Sequence, residues 1–266
     1  MSQIDNLINT WRRVDTDERP LVLPEDRPYV LRGKRSVVFD SYEQWLAGGG
    51  LKGLKSDQLH LGLVPVPYIG DLKHASVVIL MLNPGLEADD YYAETPGSAY
   101  RDAIIRNLRQ EVNDTAYPFV FLDPQFAWHS TGKYWRARLA WLADELVGAQ
   151  ASGSTQALQL VSKHVVCLQL VPYHSATFGL SHDTVRTLPS AALVRGALSE
   201  LLAQAQRGEK LIVAMRRSGD WGLAKETLCS TVLAYSGPAT RAAYINKGNT
   251  AGQRIRDFLL GHSAAV

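Results

Sequence analysis

Hydrophobic residues along this chain fall into short apolar runs that alternate with helical stripes. The run from Val77 to Leu82 contains six consecutive apolar residues, too few for a helix that is packed on all sides. Its β-branched residues suit a strand buried on both faces, as in a parallel sheet. Apolar runs at Val165 to Val171, Leu211 to Met215 and, more briefly, Ala242 to Ile245 predict three further strands.

Apolar positions at three- and four-residue spacing predict helices around these strands. The predicted helices are Ile4 to Trp11, Tyr42 to Leu46, Ser98 to Asn113, Tyr134 to Val147, Ala191 to Ala205, Trp221 to Leu228 and Thr250 to Leu260. Strands that alternate with helices predict an α/β fold, a three-layer α/β/α sandwich around a central, mainly parallel four-stranded sheet. We expect residues 1–60 to form an accessory segment packed on the core and residues 61–266 to form the α/β domain.

The composition limits the class of protein without naming one. The hydrophobic fraction of 46% is ordinary for a globular protein, and the net charge is only +2. No stretch resembles a signal peptide or reaches the roughly 20 apolar residues that span a bilayer, so we expect a cytoplasmic protein with no membrane association. Cys167 and Cys229 lie in apolar runs, which predicts buried free thiols. No histidines have metal-ligand spacing, and we predict neither a metal site nor a cofactor.

The sequence Asn83-Pro84-Gly85 directly follows the first predicted strand. Pro84 removes a backbone donor and ends the strand, and Gly85 permits a sharp turn. Asn83 therefore lies at the carboxyl end of a central strand, where ligands bind in open α/β sheets. Its amide can hold a water molecule but cannot accept a proton. An ordinary Asn-Pro-Gly turn is the alternative interpretation.

This strand and turn resemble the first motif of the uracil-DNA glycosylase superfamily, in which a buried strand runs into Asn-Pro-Gly or a close variant. The resemblance implies that Asn83 positions the attacking water and that Pro84 and Gly85 line the base pocket. It also implies that the loops after the other strands lie at the same edge of the sheet. Branches of the superfamily that carry an iron–sulfur cluster need four cysteines, and two cysteines exclude them.

The second predicted strand ends in Pro172-Tyr173-His174-Ser175. Superfamily members specific for uracil often place an asparagine here to read the base, and its absence leaves the target base open. We assign Tyr173 and Ser175 to the substrate pocket. His174 could donate to an oxygen of the base as negative charge develops there, or it could be structural.

A flipped base needs an aromatic partner on which to stack. Six aromatic residues downstream of the first motif are candidates: Tyr91, Tyr92, Phe119, Phe121, Phe126 and Trp128. From these we assign Tyr91, Tyr92 and Phe121 to substrate binding, although the sequence does not distinguish the stacking residue. Asp89 or Asp90 could bring a carboxylate to the water if the loop folds inward, whereas solvated side chains are the alternative.

Two further loops are candidates for DNA binding. Asn246, Lys247, Gly248 and Asn249 occupy the place of the superfamily's His-Pro-Ser sequence, although a helix-capping turn would also explain the asparagines. Arg216 and Arg217 follow the third predicted strand. Residues 207–256 hold nine lysines and arginines against three acidic residues, a net of +6, and such asymmetry suits a surface that faces phosphates.

These features predict a monofunctional DNA glycosylase that binds duplex DNA with a flipped base and needs no obligate protein partner. Uracil, a mispaired base or a modified base such as a hypermodified cytosine of phage DNA would fit, in DNA repair or in antiviral defence. One alternative is a catalytically silent nucleic-acid-binding domain of the same fold. The other is an N-glycosidase that acts on free nucleosides or nucleotides.

Overall fold

The computed structural model describes residues 1–54, 56–236 and 244–262. About 45% of the chain is helical, and the predicted α/β class is confirmed. The chain forms two compact units. Unit 1 comprises Met1–Tyr68, Leu82–Glu111 and Gln169–Leu198, and unit 2 comprises Ile69–Met81, Val112–Leu168 and Ser199–Val266. The predicted boundary between an accessory segment and a domain at residue 60 stays a prediction.

The helices and strands have the following bounds. The helices are α1 Gln3–Arg12, α2 Arg27–Val30, α3 Tyr42–Ala47, α4 Gly50–Gly53, α5 Asp90–Ala93, α6 Ala99–Leu108, α7 Ser130–Leu146, α8 Ser154–His164, α9 His182–Thr187, α10 Pro189–Gln206 and α11 Thr250–His262. The strands are β1 Ser36–Val37, β2 Leu59–His60, β3 Tyr68–Ile69, β4 Val77–Met81, β5 Val165–Gln169, β6 Leu211–Ala214 and β7 Val232–Ala234.

The main sheet is mixed and has five strands in the order β3-β5-β4-β6-β7. Strands β4 and β6 are parallel with Val77 opposite Leu211, and β6 and β7 are parallel with Ile212 opposite Val232. All five residues of β4 are buried, as its unbroken apolar run predicted. A second sheet, of two strands, pairs β1 with β2 in parallel.

Three of the four predicted strands are confirmed as β4, β5 and β6. Of the fourth, predicted at Ala242 to Ile245, residues 242 and 243 lie outside the described residues, and Tyr244 and Ile245 are not in a strand. The sheet gains β7 at 232–234 instead. Strand β7 has three residues, and only one of them is buried. Its apolar run was too short to be recognised as a strand from the sequence.

The predicted helices are confirmed except for one. Residues 221–228 form turns and a short 3₁₀ segment, Lys225–Thr227, because Gly222 has a φ of +77° and interrupts helical backbone. Helix α8 was not predicted.

Two expectations from composition can be compared with the structure. Among the described residues, no helix has the length and apolar character needed to cross a lipid bilayer. Cys167 is buried in β5, but Cys229 is exposed, so the expectation of a second buried thiol was wrong.

Two groups of buried residues organise unit 1. Helix α1 is capped by Ser2, whose Oγ accepts from the Asp5 amide at 3.0 Å. Its apolar stripe is buried and consists of Ile4, Leu7, Ile8 and Trp11.

The second group is the aromatic core cluster, which we define as Trp45, Leu63, Leu86 and Tyr91. It brings together helices α3 and α5 with the turn that follows Asn83-Pro84-Gly85. That turn is therefore anchored in a packed core.

Candidate active site

Asn83 is partly exposed and lies two residues beyond the end of β4. Its side-chain nitrogen Nδ2 is surrounded by three oxygen acceptors within unit 1. It lies 2.8 Å from the carbonyl oxygen of Pro84, 3.3 Å from that of Tyr173 and 2.9 Å from the Ser175 hydroxyl. The first motif and the loop after β5 therefore meet at Asn83, as predicted.

These neighbours fix the orientation of the Asn83 amide. Carbonyl oxygens only accept hydrogen bonds, so the side-chain NH₂ rather than the side-chain oxygen must face Pro84 and Tyr173. The oxygen Oδ1 is the other polar atom of this planar amide, and no hydrogen bond to it is found among the described residues. The site therefore offers a fixed, neutral acceptor, which can orient a water molecule but cannot deprotonate it.

His174 has a different position from the one that its assigned role requires. The ring is buried, and both ring nitrogens face backbone carbonyls, Nδ1 at 2.9 Å from Gly85 and Nε2 at 3.2 Å from Val64. Both contacts are hydrogen bonds only when both nitrogens carry a proton. In this arrangement the ring braces the carbonyl of Gly85 instead of facing a substrate, so we replace the predicted catalytic role with a positioning role.

Tyr173 and Ser175 flank His174, and each has a different role from the predicted one in a substrate pocket. Tyr173 is fully buried, and its hydroxyl lies 2.6 Å from a carboxylate oxygen of Asp26, so the ring does not line a substrate pocket as predicted. Its contribution to the site is its backbone carbonyl. Ser175 is buried too, and its hydroxyl accepts from Asn83. Both residues therefore hold Asn83, which the sequence could not show.

The two neighbouring tyrosines of helix α5 have opposite environments. Tyr91 is buried and stacks on Trp45, with ring centroids 5.5 Å apart and planes at 18°, and its hydroxyl lies 3.1 Å from His60 Nδ1. Its predicted role in stacking on a base was therefore wrong, because the ring is part of the aromatic core cluster. Tyr92 is 60% exposed and touches Tyr42 edge-to-face at 5.6 Å. More than half of its surface is therefore accessible to solvent.

A buried polar network lies behind Gly85, and the sequence analysis missed it. The amide of Val64 donates to Glu94 Oε2 at 2.8 Å, while the carbonyl of the same residue faces His174. Burial raises the pKa of Glu94 to about 8, because the apolar surroundings penalise the carboxylate. Burial lowers the pKa of His60 to about 4, and the neighbouring His174 adds to this shift. No periodicity or motif marks these residues in the sequence.

The predicted DNA-binding cations lie in unit 2, and two of them are paired with carboxylates. Arg217 has a φ of +50° and forms an ion pair with Asp220 three residues later. Lys247 Nζ lies 2.5 Å from Glu145 Oε1 on helix α7. Arg216 is half-buried. A phosphate would have to exchange with these carboxylates to reach Arg217 and Lys247.

The asparagines of the last loop shape the backbone. The side-chain oxygen of Asn246 accepts from the Gly248 amide at 2.8 Å, which closes a tight turn. The oxygen of Asn249 accepts from the Gly252 amide at 2.8 Å and caps helix α11, so the helix-capping alternative is confirmed for this residue. Gly248 is exposed at the tip of the turn. The loop presents backbone rather than amide side chains.

Two other aromatic features of unit 2 bear on the predictions. Phe121 is buried against Phe119, with ring centroids 6.4 Å apart, so its predicted substrate contact was wrong.

Arg138 forms cation–π contacts that the sequence analysis did not predict. Its guanidinium lies 3.3 Å from the ring centroid of Tyr134 and 4.7 Å from that of Tyr244. The four-residue spacing of Tyr134 and Arg138 on one helix was the available signal.

The chain was compared with family models, curated proteins and solved structures, and nothing matches it in any of the three comparisons. The resemblance to the uracil-DNA glycosylase superfamily therefore stays a prediction that rests on Asn83-Pro84-Gly85 and on the order of the elements.

Proposed function

We propose that this chain is a monofunctional DNA glycosylase that hydrolyses the N-glycosidic bond of a flipped uracil, mispaired base or modified base. The observation that supports the proposal best is the orientation of the Asn83 amide, whose nitrogen is held by Pro84, Tyr173 and Ser175. In the proposal, its oxygen is the acceptor that holds one water molecule. Part of the proposal is the superfamily's three-layer α/β/α arrangement around a parallel sheet.

The proposed reaction uses this water as the nucleophile. The target nucleotide is flipped out of the stack, at a cost of a few kcal/mol. The bond between C1′ and the base nitrogen breaks as the sugar gains oxocarbenium character, and its electron pair leaves with the base. The water held by Asn83 adds to C1′ and releases a proton to solvent, and the departing base takes up a proton. Because an amide is not a base, we expect slow turnover.

The remaining parts of the site bind rather than react. His174 holds the carbonyl of Gly85 and so fixes the turn on which the pocket is built. Tyr92 is the exposed aromatic residue of helix α5 and is our choice for the side chain that stacks on the flipped base. Arg216, Arg217 and the loop at 246–249 would contact the DNA backbone, with phosphates replacing Asp220 and Glu145 as partners.

An abasic-site assay tests the proposal. Duplexes with uracil or hypoxanthine, and phage DNA with glucosylated hydroxymethylcytosine, are incubated with the protein and then cleaved with alkali. We expect strand breaks on at least one substrate with the wild type, and a rate about 100-fold lower with Asn83→Ala, since misplacing the nucleophile costs that much. Asn9→Ala is the matched control, because Asn9 is, like Asn83, a partly exposed amide of unit 1, and it lies on helix α1.

Two outcomes would overturn the proposal. Intact binding of duplex DNA with no strand break on any substrate would point to a catalytically silent binding domain. Release of the base from mononucleosides, with little dependence on salt, would point to a nucleoside hydrolase, because duplex binding weakens steeply as salt rises. Equal activity of Asn83→Ala and the wild type would remove Asn83 from the mechanism.

A further inference from the structure

Asp26 is a carboxylate in the interior of unit 1. It is 0% exposed and is the last residue of a short 3₁₀ turn, Pro24–Asp26, in the N-terminal part of the chain. One oxygen, Oδ2, lies 2.6 Å from the Tyr173 hydroxyl, and the other, Oδ1, accepts from the Ser190 amide at 2.9 Å. A buried carboxyl group is costly unless it is hydrogen-bonded, and both oxygens here have a donor.

The hydroxyl of Tyr173 both accepts and donates a hydrogen bond. It accepts from the Leu23 amide at 3.2 Å, so its own proton is the one given to Asp26. The ring also packs edge-to-face on Trp11, with centroids 6.4 Å apart. Tyr173 is thus fixed at its far end by three residues of the N-terminal segment.

The near end of Tyr173 is part of the candidate active site. Its backbone carbonyl accepts from Asn83, and two residues later the Ser175 hydroxyl does the same. We propose that Asp26 is a positioning residue, which holds Tyr173 so that the loop at 173–175 keeps the Asn83 amide in its reactive orientation. This inference rests on the proposed function. It makes the N-terminal segment a part of the catalytic machinery rather than an appendage.

A purely structural role for Asp26 is the competing explanation, since breaking a buried hydrogen-bond network destabilises most folds. The two explanations differ in where the effect of a substitution appears. If the network is only structural, a substitution in it changes the stability of unit 1 as a whole. If the network positions Asn83, the same substitution also changes the geometry of Asn83 and the rate of the chemical step, while the affinity for DNA stays intact.

Tyr173→Phe removes the hydroxyl and keeps the ring, and Tyr68→Phe is its matched control. Tyr68 is equally buried in unit 1, and its hydroxyl donates to the Leu108 carbonyl at 2.7 Å. We expect the two variants to lose similar stability. We expect only Tyr173→Phe to lower kcat for base release, by about tenfold, with an unchanged Kd for the duplex.

Asp26→Asn supplies a second, independent substitution. Its amide nitrogen cannot accept, so the hydrogen bond from either Tyr173 or Ser190 is lost. We expect a similar loss in kcat. Because both changes act through one network, the double variant Asp26→Asn with Tyr173→Phe should lose little more than either single variant. Additive losses would show that Asp26 does not act through Tyr173 and would overturn the proposal.

An NMR measurement separates this inference from the proposed function. In the wild type the side-chain NH₂ of Asn83 should be hydrogen-bonded, with slow exchange and a shift that Tyr173→Phe and Asp26→Asn move but Tyr68→Phe does not. If these signals change although no substrate is cleaved, the proposed function fails and the positioning role stands. Unchanged Asn83 signals and an unchanged kcat in both test variants would overturn the positioning role, as would an equal loss of kcat in Tyr68→Phe.

Discussion

The side-chain nitrogen of Asn83 donates to the hydroxyl of Ser175 at 2.9 Å, although the two residues are 92 positions apart in the chain. This hydrogen bond joins the turn after β4 to the loop after β5. In the same contact the carbonyl oxygen of Tyr173, which can only accept, requires that the NH₂ end of the Asn83 amide faces this loop. The chemistry of the candidate site therefore depends on a contact between two loops.

The orientation of this amide predicts the effect of Asn83→Asp. An aspartate would place a carboxylate oxygen where the NH₂ now donates to Pro84 and Tyr173, so acceptors would face acceptors. We expect the free energy of unfolding to fall by about 1–3 kcal/mol at neutral pH. Urea denaturation measures this directly. An unchanged stability would mean that the amide has the reverse orientation.

Tyr91 and Tyr92 should respond differently to substitution by alanine. Tyr91→Ala empties a site in the aromatic core cluster and should lower the free energy of unfolding by about 3 kcal/mol or more. Tyr92→Ala removes a ring that is 60% exposed and that contacts Tyr42 edge-to-face, and it should cost less than about 1 kcal/mol. Only Tyr92→Ala should weaken base release from a protein that remains folded, by about tenfold if the ring stacks on the base.

Thermal unfolding and the abasic-site assay, run on both tyrosine variants, check this difference. A stable Tyr92→Ala protein with the wild-type rate would remove Tyr92 from the site. A stable Tyr91→Ala protein would contradict its place in the core.

The sequence was sufficient for features that depend on local pattern. The apolar run at Val77 to Leu82 predicted a buried strand, and Asn83-Pro84-Gly85 predicted where that strand ends, because strand length and proline chemistry are local properties. Helix α6 was predicted to begin near Ser98, and the Ser98 hydroxyl caps it by accepting from the Arg101 amide. These predictions needed no knowledge of tertiary contacts.

Features that depend on distant partners could not be predicted. Tyr91 and Tyr92 are the same residue type in adjacent positions, and only tertiary packing in the aromatic core cluster distinguishes the buried ring from the exposed one. The Asp26 carboxylate and the Tyr173 hydroxyl are 147 positions apart. His174 has the right residue type and place for catalysis, but the carbonyls that occupy its ring nitrogens are visible only in the folded chain.

The pKa of His60 predicts a dependence of stability on pH. Burial, with help from His174, lowers this pKa from 6.5 to about 4 in the folded protein. Between these values the unfolded chain binds more protons, so the contribution of His60 to stability is present above pH 6.5 and is lost as the pH falls towards 4. We expect the wild type to lose on the order of 2–3 kcal/mol more than His60→Asn between these limits.

Denaturation of both proteins across that range of pH gives the difference between their free energies of unfolding as a function of pH. The contributions of the other titrating groups largely cancel in this difference. A flat difference would show that His60 is as easily protonated in the folded chain as in the unfolded one. A wild type that gains stability relative to His60→Asn as the pH falls from 6.5 to 4 would reverse the predicted sign.

The ion pair between Lys247 and Glu145 predicts an increase in DNA affinity on removal of the carboxylate. Lys247 is largely exposed and its partner is not, so Glu145→Gln releases a cation at the surface of the loop. If Lys247 contacts phosphate, duplex binding should strengthen by about fivefold at low salt, since an exposed pair is worth up to about 1 kcal/mol. The dependence of affinity on salt should also become steeper.

Fluorescence anisotropy with a labelled duplex, at low and at high salt, measures both effects. Glu226→Gln is the matched control, because it removes the same charge from an exposed position in unit 2 that has no ion pair with Lys247. Equal gains in the two variants would indicate a general effect of net charge. No gain in Glu145→Gln would place Lys247 outside the DNA interface, and the proposed contact of this loop with DNA would then have to come from its backbone alone.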